Sequence, residues 1–60
     1  MIYLAEFSFP GTRELVSDLF IFADSQEMAH QYALKYASNW GIDFFCLQVA
    51  DKKHFFYSPL

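Results

Sequence analysis

Residues 25–39 are the one stretch of this chain with a helical repeat, and the rest of the sequence has to fold around that single helix. Ala29, Tyr32, Ala33, Tyr36, Ala37 and Trp40 recur at i, i+3, i+4, i+7, i+8 and i+11, which lays a continuous stripe along a helix. Gln26, Glu27, Gln31, Lys35 and Ser38 fall away from it. Asp24 or Ser25 can cap its start, and Glu27 stands at capping-box spacing from Asp24. Gly41 suits the left-handed residue that ends a helix, because it has no Cβ to clash there. The alanines let the helix lie close on a sheet, with Tyr and Trp expected to fill the edges.

Strand patterns flank the helix on both sides. In residues 2–9, Tyr3, Ala5, Phe7 and Phe9 share one face, and Ile2, Leu4, Glu6 and Ser8 the other. Pro10-Gly11 supplies turn chemistry. In residues 14–23, Leu15, Ser17, Leu19, Ile21 and Ala23 alternate with Val16, Asp18, Phe20 and Phe22. A three-residue loop sets Phe7 beside Leu15 and Tyr3 beside Leu19. A two-residue loop would put acids on the core face unless a bulge near Ser17-Asp18 restored the alternation, so the three-residue loop is the expected one. Residues 42–50 form a third strand, with Phe45, Leu47 and Val49 on one face and Ile42, Phe44, Cys46 and Gln48 on the other. Asp51-Lys52-Lys53 reads as a polar turn, and residues 54–57 can add a short fourth strand before Pro59.

The order is β-β-α-β, or β-β-α-β-β with the fourth strand. Right-handed crossover makes the third strand parallel to the second, and placing it beside the first makes all neighbours antiparallel. The expected fold is an α+β single small domain over residues 1–60. Its antiparallel sheet has order 2-1-3, with any fourth strand outside the third and one helix on one face. A chain of 60 residues buries only about 60% of its unfolded surface, so it needs either a dense core or self-association. The single cysteine, Cys46, excludes an internal disulfide.

One helix covers one face. The inner face takes Tyr3, Ala5, Phe7, Leu19, Ile21, Phe45, Leu47 and Val49. The outer face then shows Leu4, Glu6, Asp18, Phe20, Phe22, Phe44, Cys46 and Gln48. That face is rich in apolar side chains, and contiguous apolar patches mark interaction surfaces. Leu4, Phe20, Phe22, Phe44 and Cys46 are therefore the candidate protein-interaction residues. A homodimer is the default occupant, since two-fold dimers are the commonest oligomers. Binding at a strand edge or to a foreign protein also fits.

Catalytic and ligand chemistry finds little support. Cys46 and His54 have neither an orienting acid nor an oxyanion hole. His30 and His54 with one cysteine fall short of a zinc set, and Gly11 and Gly41 make no phosphate loop, so no metal or cofactor is expected. Glu6 and Asp18 approach across the first two strands and read as rim charges. The net charge of −3 opposes phosphate backbones and anionic lipid. An alternative is single-stranded nucleic-acid binding, with bases stacked on Phe20, Phe22 and Phe44 and a Lys52-Lys53 patch for the backbone. It is disfavoured because Lys52-Lys53 is the only basic cluster. No apolar run reaches membrane-spanning length and no basic segment precedes Arg13. The lone thiol fits a reducing compartment, so a cytoplasmic protein, complete from Met1, is expected.

From Phe20 to Ala37, with Ala-Asp-Ser-Gln-Glu-Met-Ala leading into the helix, the pattern is similar to that of many short β-β-α-β proteins. Small phage-encoded inhibitors of bacterial enzymes are among them, and the resemblance implies occlusion of a host enzyme surface as a further alternative. The resemblance carries over no functional residue. The leading expectation is a non-catalytic protein–protein interaction module that uses an aromatic sheet face or edge.

Overall fold

The computed structural model describes residues 1–50. Its elements are β1 (Ile2–Ser8), β2 (Leu15–Phe22), α1 (Gln26–Trp40) and β3 (Asp43–Val49). The expected α+β architecture is present: the sheet has order β2-β1-β3, with β1 antiparallel to both neighbours and α1 packed on the sheet. The fourth strand expected over residues 54–57 lies outside the described residues.

Helix α1 starts at Ser25, whose Oγ accepts a hydrogen bond from the Met28 N–H at 3.2 Å. Serine therefore supplies the cap, and the spacing from Asp24 to Glu27 is not used as a capping box. Glu27 still sits in the first turn, where the helix dipole favours an acid. The helix ends at Gly41 with φ +66°, a left-handed conformation that costs a Cβ-bearing residue. Ala29, Ala33 and Ala37 are buried, and they let the helix lie on Tyr3, Ala5, Phe7 and Ile21. Phe7 is the largest side chain in that cluster with no exposure, and its ring meets Tyr36 at 4.9 Å.

The expected edge-filling by aromatics holds for Tyr36, which packs against the core, but not for Tyr32 and Trp40. Tyr36 is half-buried, but Tyr32 is 55% exposed and Trp40 68%. Buried alanines with Tyr36 bring the helix down on a narrow sheet, so Tyr32 and Trp40 at the stripe's margins overhang it.

The hairpin register differs from the expected one. Phe7 pairs with Ser17 and Tyr3 with Ile21, two positions beyond the pairing set by a three-residue loop. The loop is longer, spanning residues 10–13, and the Phe9 N–H closes it on the Glu14 carbonyl at 3.0 Å. Such a loop alone would turn the wrong face inward. A bulge restores the alternation: Ser8 opposes Leu15 while Phe7 opposes Ser17, which leaves Val16 as the extra residue. The face assignment of Tyr3, Ala5, Phe7, Leu19 and Ile21 therefore stands despite the shifted register. At the hairpin tip, the Gly11 N–H donates to the Asp43 carboxylate at 2.9 Å and ties the loop to the start of β3.

A second bulge corrects β3. Glu6 pairs with Cys46, but Phe7 pairs with Phe44, so Phe45 is the extra residue. Phe44 thereby turns to the helix side. Its ring meets Phe7 at 6.2 Å and His30 at 4.9 Å. The expected placement of Phe44 outward and Phe45 inward is reversed. Leu47 packs against the core as expected, whereas Val49, at the end of β3, is largely exposed.

Candidate protein-interaction surface

The hydrogen-bond pattern of β1 fixes which outer-face residues meet. Met1 and Ala23 exchange both backbone bonds, each at 3.0 Å, and the Ala50 N–H donates to the Ile2 carbonyl at 2.9 Å. Hydrogen-bonded and non-hydrogen-bonded pairs alternate along an antiparallel ladder. It follows that Leu4–Phe20 and Glu6–Asp18 are the close, non-hydrogen-bonded pairs between β1 and β2. On the other side, Leu4 pairs with Gln48 and Glu6 with Cys46.

Two rows of side chains thus cross the outer face. One row is Phe20–Leu4–Gln48, and beside it lies Asp18–Glu6–Cys46. Beyond the first row, Phe22 pairs with Ile2. Phe22 is 72% exposed and Phe20 is 37% exposed, while Leu4 between the strands retains only 8%. Leu4 is shielded on this face although it points away from the helix. Of the expected interaction residues, Leu4, Phe20, Phe22 and Cys46 share the outer face, and Phe44 belongs to the core.

Cys46 is not an isolated apolar thiol. Its S–H donates to the Glu6 carboxylate, Sγ to Oε1 2.8 Å. That hydrogen bond, followed by burial and the negative charge of Glu6, pushes the thiol up to about 11 from an ordinary 9.0. Such a thiol is protonated at neutral pH and is a poor nucleophile. The pairing with His54 considered from the sequence lies outside the described residues, as do Lys52 and Lys53. The contact between Glu6 and Cys46 was missed in the sequence. Its signal is the 2-1-3 order, which sets both residues on neighbouring strands, but the pairing needs the exact register.

Shallow recesses flank β2 on both faces. On the helix side, a groove of about 400 Å³ runs between β2 and α1, lined by Leu19, Ile21, Phe22, Tyr32 and Lys35 among others. On the outer side, a recess of about 300 Å³ is lined by Glu6, Leu15, Val16, Ser17 and Asp18. Among the described residues, no three His, Cys, Asp or Glu side chains form a group that could hold a metal ion. No described helix is long and apolar enough to cross a membrane.

Fold and surface together define a small α+β protein with, among the described residues, one helix and an aromatic outer sheet face. Comparison with protein families, with curated proteins and with solved structures returned no match.

Proposed function

We propose that this protein acts by contact with another protein chain and not by catalysis, through the outer sheet face at Phe20 and Phe22, which the shielded Leu4 supports from beneath, and the neighbouring edge of β2. The observation that carries the reading is Phe22, 72% exposed beside Phe20 on a face that no described element covers. Large apolar side chains gathered in this way mark partner surfaces. Position on the sheet adds to this. β2 has β1 on one side only among the described residues, and past the Val16 bulge and Asp18 its edge runs Leu-Phe-Ile-Phe, with no Lys, Arg or Pro to guard it.

The occupant is a second copy or a foreign protein, an enzyme surface to be occluded being one form of the latter. Nucleic acid is a poorer fit, because the charges on the described outer face are the carboxylates Glu6 and Asp18, which repel phosphate. Phe44, needed there as a stacking platform, packs on Phe7 and His30 instead. The single free thiol, Cys46, supports placing the protein in a reducing compartment such as the cytoplasm.

The test is cross-linking capture from the native host with wild type and Phe22→Asp side by side, together with sedimentation of both. The reading expects a wild-type partner, self or foreign, that the variant loses while keeping its far-UV helical signal. A wild type that is monomeric at high concentration, with a captured set unchanged by Phe22→Asp, overturns it.

A further inference from the structure

The outer recess beside β2 narrows the choice of occupant. Glu6 and Asp18 stand opposite each other in a close strand pair, where like charges oppose folding. Cys46 donates one hydrogen bond to Glu6. Among the described residues, no basic side chain answers either carboxylate. Lys35 and His30 lie on α1, across the sheet, and Arg13 belongs to the hairpin loop. The N-terminal ammonium is held on the Ala23 carbonyl at the other end of the strand pair. The recess therefore joins two carboxylates that no described cation answers to apolar walls at Leu15 and Val16. Next to it lies the apolar row of Phe20 and Leu4.

That combination matches a long basic side chain. Lysine and arginine lay an apolar stem along hydrophobic surface and carry the charge at its tip. We propose that the outer face receives a foreign protein surface that inserts a lysine or arginine side chain between Glu6 and Asp18, flanked by apolar residues that cover Phe22. A second copy of this chain is the poorer occupant. Its corresponding face brings another Glu6–Asp18 pair and, among the described residues, no cation. This inference rests on the outer face being the contact surface, and it adds the chemistry of the partner.

The experiment uses the full chain and two labelled eight-residue peptides, one alternating leucine with arginine and one alternating leucine with glutamate. Glu6→Gln/Asp18→Asn removes the acid pair without changing side-chain size. Glu14→Gln/Glu27→Gln removes the same net charge elsewhere and serves as control. The leucine–arginine peptide is expected to bind and the leucine–glutamate peptide not to bind. Neutralising the pair should weaken binding about ten-fold, against little change in the control, as for a partly desolvated charge contact. Phe22→Ser should weaken it as well. Equal losses in the two double variants, displacement by spermidine with no dependence on Phe22, or no binding of the basic peptide overturns the proposal. Self-association that strengthens when the pair is neutralised also overturns it, but keeps the face as an interface. Binding that needs the acid pair and ignores Phe22 refutes the aromatic face as the contact surface while leaving the basic-side-chain recess in place.

Discussion

Replacing Glu6 by alanine should wake the Cys46 thiol, and the size of the effect follows from the geometry. In the wild type the S–H donates to Glu6 Oε1 at 2.8 Å, and the thiol is pushed up to about 11 from 9.0. At pH 8 those two values differ about 100-fold in thiolate fraction. The less basic thiolate is also the weaker nucleophile. With a Brønsted coefficient of about 0.4–0.5, two pH units of lost basicity cost it a factor of about 6–10 in thiol–disulfide exchange. The net gain expected on removing Glu6 is therefore about ten-fold in the rate with an aromatic disulfide reagent at pH 8. Burial remains in the variant and trims the gain. The assay is the release of coloured thiolate followed from pH 7 to 11.5, with far-UV circular dichroism to confirm folding. The wild-type rate should keep rising past pH 10, while the Glu6→Ala profile should level off earlier. A wild-type profile that levels off near 9, or a variant rate equal to wild type, refutes the hydrogen bond as the controlling contact.

The same thiol links stability to alkaline pH. Its folded value lies above the unfolded one, so its contribution is complete below about pH 9 and is lost as pH rises towards 11. Chemical denaturation across that window should show a steeper decline for wild type than for Cys46→Ala. Phe7→Ala removes a fully buried ring that touches Tyr36 and Phe44, at a cost of about 3–5 kcal/mol. A core of this size rarely supplies more than about 3–5 kcal/mol, so the variant should lack a cooperative thermal transition. Ser25→Ala removes the helix cap and should lower stability by about 1 kcal/mol in urea titration. Phe22→Ser, at an exposed position, should by contrast leave the urea midpoint nearly unchanged.

The sequence was most readable where a pattern was long. The alanine stripe identified the helix and its buried side, and chirality with the 2-1-3 placement predicted the sheet order that is observed. What the alternation concealed were the two bulges. Both extra residues sit in apolar doublets, Leu15-Val16 and Phe44-Phe45. Exchanging which member of such a doublet faces the core leaves no mark in the hydrophobic pattern. Phe44 was misplaced for that reason. Leu19 and Ile21 kept their expected face, because a longer loop and a bulge compensate each other. Of the candidate surface, Leu4, Phe20, Phe22 and Cys46 were legible from parity alone. The acid pair was foreseen as neighbours. The thiol contact and the recess beside the pair were not, since both depend on strand register to a single residue.

The central position of β1 has a consequence for how the chain is made. Ile2–Ser8 are the first strand residues in the sequence, yet they form the middle of the sheet. Synthesis from the N-terminus therefore releases the middle strand first and can complete only one of its flanks with the hairpin. The other flank waits until Asp43–Val49 have followed. Until then a nascent or shortened chain carries Tyr3, Ala5 and Phe7 beside an open backbone edge, the condition under which chains pair with one another instead of with themselves. The contact from Gly11 to Asp43, between residues 32 apart, can close only at that last step. A stall or a stop codon between the helix and β3 should therefore yield aggregates and not a smaller folded protein.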